Sequence, residues 1–174
     1  MKLRALATNE VMRLVREFCA VRPVQLFVDP TGFATPSRLM TRLTRLQQAG
    51  QISAEVRVGG VHAASYYFPQ IDVTGAPRLD LTSPTQIDAA TIDGALRPLS
   101  NSEPSSSAVL AVHLIHQTGS EIDPASKPTH PWSTSFESLA DLVELGFERE
   151  ALEMARRSAR QAAPQARPTE TACV

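Results

Sequence analysis

The sequence predicts a mainly α-helical protein carrying one small β-hairpin, and three observations lead to that fold class. Apolar residues recur at helical spacing over residues 9–20 and 37–48. The period then changes to two between Ile52 and Phe68, around a Gly59-Gly60 pair. Aromatics make up only 5% of a chain that is 43% hydrophobic, too few for the core of a large β-sandwich. At 174 residues the chain is long enough for one good core or two small ones.

Over residues 9–20 the apolar stripe is Val11, Leu14, Val15, Phe18 and Cys19, with Thr8 or Asn9 as the N-cap and Pro23 closing the helix. Residues 24–33 begin apolar with Val24, Leu26, Phe27 and Val28, but Asp29, Pro30 and Gly32 hold any helix there to a turn or two. Thr35-Pro36 is a helix start, a capping hydroxyl followed by proline at the first helical position. Leu39, Leu43 and Leu46 then share one face, and Gly50 supplies the C-terminal cap. After Gly50, Ile52, Ala54, Val56 and Val58 alternate with Ser53, Glu55 and Arg57, and a second β-prone run ends in Tyr66-Tyr67-Phe68. Two glycines between such runs favour a type I′ turn, since both central positions need positive φ. That loop pairs Val58 with Val61 and Arg57 with His62.

Beyond Pro69, residues 71–83 read as a connector and 84–96 as a short helix capped by Ser83. The SNSEPSSS stretch at 100–107 reads as a linker, and 108–116 is a continuous apolar run that suits a buried strand or a helix equally. A proline-containing loop over 123–132 is anchored against the C-terminal helices by Trp132, the sole tryptophan. Two helices fill 134–163, with Thr134 and Glu137 as a capping box and Gly146 as the break. The organisation is thus residues 1–70, a connector at 71–107, a small acidic helical or α+β region at 108–163, and a frayed tail at 164–174.

The order helix, short helix, turn, helix, hairpin carries a resemblance. The run from Thr35 to Ile52, followed by a hairpin ending Tyr66-Tyr67-Phe68, resembles the recognition helix and wing of bacterial winged helix-turn-helix transcriptional regulators. Asp29-Pro30-Thr31-Gly32 departs from that pattern in the short second helix. The resemblance implies a winged helix-turn-helix domain in residues 1–70, sequence-selective duplex DNA binding, and transcriptional control without catalysis. The alternative is a winged-helix adaptor that binds another protein within a replication, transfer or defence assembly.

Charge points the same way. Nine basic residues face four acidic ones through Phe68, against eight and fourteen beyond it, an asymmetry that suits a nucleic-acid-binding module joined to something else. Packing the leucines inward turns Arg38, Arg42 and Arg45 outward in a stripe that Thr41 and Gln48 continue. The expected DNA contacts are therefore Ser37, Arg38, Thr41, Arg42, Arg45 and Gln48 on the helix, and Arg57 with His62 at the hairpin tip. Other expected partners are a protein, or a second copy bound through the C-terminal region.

No enzyme activity, cofactor or metal is expected. His113, His116, His130 and Asp123 are the one metal-like combination considered, and on a strand His113 and His116 point to opposite faces. Ser105, Ser106 and Ser107 near His113 lack a nucleophile elbow. Cys19 and Cys173 match no disulfide or metal spacing, and neither a leader pattern nor an apolar run of roughly 18 residues is present, so the expected location is the cytoplasm with no membrane contact.

Overall fold

Two helices form where the apolar stripes at 9–20 and 37–48 place them. The computed structural model describes residues 7–71, 78–115 and 132–162, with side chains through residue 158. Helix α1 (Thr8–Val21) starts after Ala7, whose N–H donates to Glu10, so neither Thr8 nor Asn9 is the N-cap. In α2 (Pro36–Gln48) the Thr35 hydroxyl accepts from Arg38 N at 3.3 Å, and Gly50 follows at φ +69°. Leu39 and Leu43 are the buried residues of α2, each burial contributing roughly 1.5–3 kcal/mol.

Between these helices the expectation of a second short helix fails. Val24–Val28 is a strand, β1, because two β-branched residues and a phenylalanine in five favour the extended backbone. Asp29 then ends it by accepting from Thr31 N and Ala34 N, bonds that hold its carboxyl down at about 2, with the Thr31 side chain the largest contributor.

The expected hairpin also fails. Arg57–Val58 is a short strand, β2, and residues Gly60–Tyr67 are a helix, α3, with Gly59 as its N-cap. Arg57 pairs with Thr82 and Val58 with Leu81 on β3 (Leu79–Ser83), so Arg57 and His62 are not hairpin partners. The supposed connector therefore ends in a fully buried strand. Ser83 closes β3 and does not cap a helix; Asp88 caps the single turn α4 (Ala89–Ile92) instead. Strand β4 (Arg97–Pro98) follows, and the serine stretch folds around Glu103, which takes Arg97, Ser100 N and Ser100 Oγ before a 3-10 turn at Ser105–Ser107. The run at 108–116 resolves as strand β5 (Leu110–Leu114). The C-terminal expectation holds: α5 (Ser135–Glu144) opens with the Thr134–Glu137 box, Gly146 turns at φ +84°, and α6 (Glu148–Ala162) returns.

The five strands among the described residues make one mixed sheet of order β2-β3-β5-β1-β4, with β3 and β5 parallel and the other pairs antiparallel. A mixed α/β architecture thus replaces the mainly α one with a winged helix. The reason lies in β3 and β5: β5 is a short apolar run whose periodicity does not separate strand from helix, and β3, with only Leu79 and Leu81 apolar, reads as connector.

The sheet's two faces differ in chemistry. Alternation sends Leu79, Leu81, Leu110, Val112, Phe27 and Val58 to the side where Leu39, Leu43 and Ile92 pack. It sends Asp80, Thr82, Ala111 and His113 to the other, where α3 and α5 lie and α1 and α6 pack against them. Trp132 stacks on Tyr66 of α3 and bridges to Val58, so it anchors against α3 and the sheet edge rather than the C-terminal helices. Among the described residues no helix is long and apolar enough to cross a membrane.

Candidate functional site

The charged face of the sheet holds an unusual cluster. Asp80 comes from β3 and His113 from β5; Thr82 aligns with His113 across the parallel pair, so Asp80 and His113 are diagonal neighbours on one face. Asp141 enters from α5, and none of the three side chains has exposed surface. His113 Nε2 lies 3.0 Å from Asp80 Oδ1 and 3.6 Å from Asp141 Oδ1. Its other nitrogen, Nδ1, stands 3.7 Å from Glu144 Oε2.

Two guanidinium groups flank the acids. Arg22, the residue that ends α1, places Nη2 2.7 Å from Asp141 Oδ1 and 2.9 Å from Glu144 Oε1. Arg78 bonds Asp80 Oδ1 through Nε at 3.1 Å and Nη2 at 3.0 Å. Burial alone pulls the Arg22 guanidinium down, but Asp141 and Glu144 outweigh it and its pKa ends above the ordinary value. Burial pushes the Asp141 carboxyl up, with Asp80 reinforcing the shift, and His113, Arg22 and the Gly60 N–H oppose it without cancelling it.

The glycine pair belongs to this cluster. Gly60 N donates to Asp141 Oδ2 at 2.5 Å, so the first turn of α3 aims its partial positive charge at the carboxylate. A Cβ on Gly59 would stand 2.4 Å from Asp141 Oδ2, and one on Gly60, at φ +62°, would stand 2.6 Å from Asp80 Oδ2. Close approach of two carboxylates, rather than a hairpin turn, is what these glycines permit.

Several polar atoms here are left over. Among the described residues, Asp80 Oδ2, Asp141 Oδ1 and His113 Nδ1 are buried without a hydrogen-bond partner, as are the side-chain nitrogens of Arg22, whose contacts to Asp141 and Glu144 are ionic by distance alone. Such groups are costly unless something balances them. Cys19 borders the cluster, and burial first, then Glu144, raises its thiol to about 11, which leaves it unreactive.

The residues expected to contact DNA are only partly brought together. Ser37, Arg38, Thr41, Arg45 and Gln48 are exposed on the outer face of α2, and Thr41 Oγ1 donates to Ser37 O. Arg42 is held in an ion pair by Asp93. Arg57 is half-buried on β2, and His62 is half-buried on α3, its pKa lowered by burial against the pull of Asp80. The expected basic hairpin tip therefore does not form.

Of the metal-like combination, His113 is described while His116, Asp123 and His130 lie outside the described residues. Its companions in the fold, Asp80 and Asp141, were missed. Each carries a signal: Asp80 is a lone charge inside Leu79-Asp-Leu81, and Asp141 stands three residues after buried Ser138, on the inward face of its helix. Family models, curated proteins and solved structures gave no match to this chain.

Proposed function

We propose that the protein binds a divalent metal ion of the zinc class at Asp80, His113 and Asp141. The observation that carries this reading is that one ligand atom from each residue lies within 4.8 Å of the other two. Tetrahedral ligands about 2.1 Å from an ion stand roughly 3.4 Å apart, and the 3.0 and 3.6 Å separations from His113 Nε2 bracket that value. With Nε2 toward the ion, Nδ1 faces Glu144 Oε2 at 3.7 Å, beyond hydrogen-bond distance but on the side from which a carboxylate orients a ligating imidazole. Three protein donors leave one position for water, the pattern of a hydrolytic centre. Glu144 and Arg78 are the members with solvent-exposed side-chain surface, 19% and 10%, and mark the side of entry.

The full chain, stripped with a chelator and titrated with Zn²⁺ and Mn²⁺ by calorimetry, is expected to take up one ion. His113→Gln and Asp80→Asn are each expected to weaken that binding on the order of a hundredfold or more. No stoichiometric uptake by the parent protein would remove this reading.

A second reading, duplex DNA binding by the outer face of α2, is favoured by the exposure of Arg38, Thr41, Arg45 and Gln48 on a helix whose opposite face is fixed by Leu39 and Leu43. It needs no winged helix, only guanidinium contacts to phosphate or base edges. Electrophoretic mobility with random duplex at two salt concentrations is expected to show binding that falls steeply as salt rises, and the Arg38→Ala/Arg45→Ala chain is expected to bind about tenfold more weakly. A folded parent that leaves the duplex unshifted at low salt sinks the idea.

A further inference from the structure

We infer that Arg22 is a resident counter-ion that competes with the metal for Asp141 and so sets how tightly the centre holds an ion. The inference rests on the metal reading above and adds the element that controls it.

The geometry places one oxygen in dispute. Asp141 Oδ2 is taken by the Gly60 N–H, so Oδ1 is the atom left to face an ion. That same Oδ1 is 2.7 Å from Arg22 Nη2 and 3.6 Å from His113 Nε2. A cation on the His113 side and the guanidinium thus draw on one acceptor, and their like charges repel across it.

Arg22 has somewhere to go. Its Nη2 already contacts Glu144 Oε1 at 2.9 Å, and the Glu144 side chain is the more exposed of its two partners. Its guanidinium lies over the Phe18 ring at 5.3 Å, a face along which it can shift while its backbone N–H stays bonded to Phe18 O. Among the described residues, Nε and Nη1 hold no hydrogen bond that a shift would break. Entry of the ion therefore moves Arg22 from a bridge between Asp141 and Glu144 to a pair with Glu144 alone.

Charge gives the two partners opposite effects. The three carboxylates of Asp80, Asp141 and Glu144 exceed the two guanidiniums of Arg22 and Arg78 by one negative charge, and a divalent ion overshoots by one. Removing the charge of Arg22 lets the same ion balance the cluster. Removing the charge of Glu144 deepens the overshoot and takes away the place to which Arg22 retreats.

The test compares Zn²⁺ affinity at one fixed pH for the full-length parent, Arg22→Met and Glu144→Gln, using competition with a chromophoric chelator, after circular dichroism shows that each is folded. Arg22→Met is expected to bind at least tenfold more tightly and Glu144→Gln at least tenfold more weakly. A role in stability alone would shift both in the same direction. Unchanged or weaker binding by Arg22→Met overturns the inference and leaves the metal centre standing, whereas no uptake by the parent or either variant overturns both. Uptake by Arg22→Met alone supports the competition while removing metal binding from the native protein. Should Arg22→Met fail to fold, Glu144→Gln decides: binding as tight as the parent's overturns the inference.

Discussion

Gly60→Ala is expected to destabilise the fold by about 2–5 kcal/mol. Gly60 sits at φ +62°, where a Cβ crowds the following carbonyl at a cost of roughly 1–2 kcal/mol. The new Cβ would also stand 2.6 Å from Asp80 Oδ2 and 3.1 Å from the Asp80 Cβ and Cγ atoms. Asp80 cannot easily give way, because Arg78 and His113 hold its other oxygen and its side chain is fully buried; forcing such a shift costs roughly 1–3 kcal/mol. Gly50→Ala is the control, since Gly50 has φ +69° and open space around it, so it carries the backbone strain without the collision. Urea unfolding followed by circular dichroism measures both, and equal losses for the two variants would show that Asp80 does not press on the helix start.

Asp141→Ala is expected to cost about 3–5 kcal/mol, the range for breaking a buried ion pair by removing one partner. The substitution strands the Gly60 N–H and leaves the Arg22 guanidinium, whose side chain is only 1% exposed, with Glu144 alone. Because replacing both partners by apolar groups of similar size is often close to neutral, Arg22→Met/Asp141→Leu is expected to recover most of the loss. A double-mutant cycle on chemical unfolding separates the pair from its surroundings. If Asp141→Ala lies within about 0.5 kcal/mol of the parent, as an ordinary surface change does, the cluster does not exist as described.

How far the residues disclose this fold depends on the length over which a pattern runs. Leu39 and Leu43 with Thr35-Pro36 specify α2 within one residue at its start, and Thr134 with Glu137 specifies the start of α5, since capping chemistry and the helical period agree there. The strands are harder because each is five residues or fewer, too short for a period to declare itself. Gly59-Gly60 misleads for a different reason. The pair satisfies the local chemistry of a turn, yet its backbone is set by Asp80 and Asp141, the latter more than eighty residues away and invisible to any local window. The same distance hides the site: His113 draws notice as a histidine, but only the pairing of β3 with β5 and the docking of α5 bring it its two acids.

Strand β5 lies third in the sheet and is bonded on both sides, to β3 by parallel pairing and to β1 by antiparallel pairing. During synthesis the first four strands emerge before it, and β1 and β3 have no edge in common. The sheet therefore closes only once residues 110–114 arrive, and the closure joins segments far apart along the chain, the kind of contact that slows folding. Until then two hydrogen-bonding edges stay open to other chains. Assembly of this protein is thus timed by the last of its described strands, and interruption just upstream of Leu110 leaves the product most prone to aggregate.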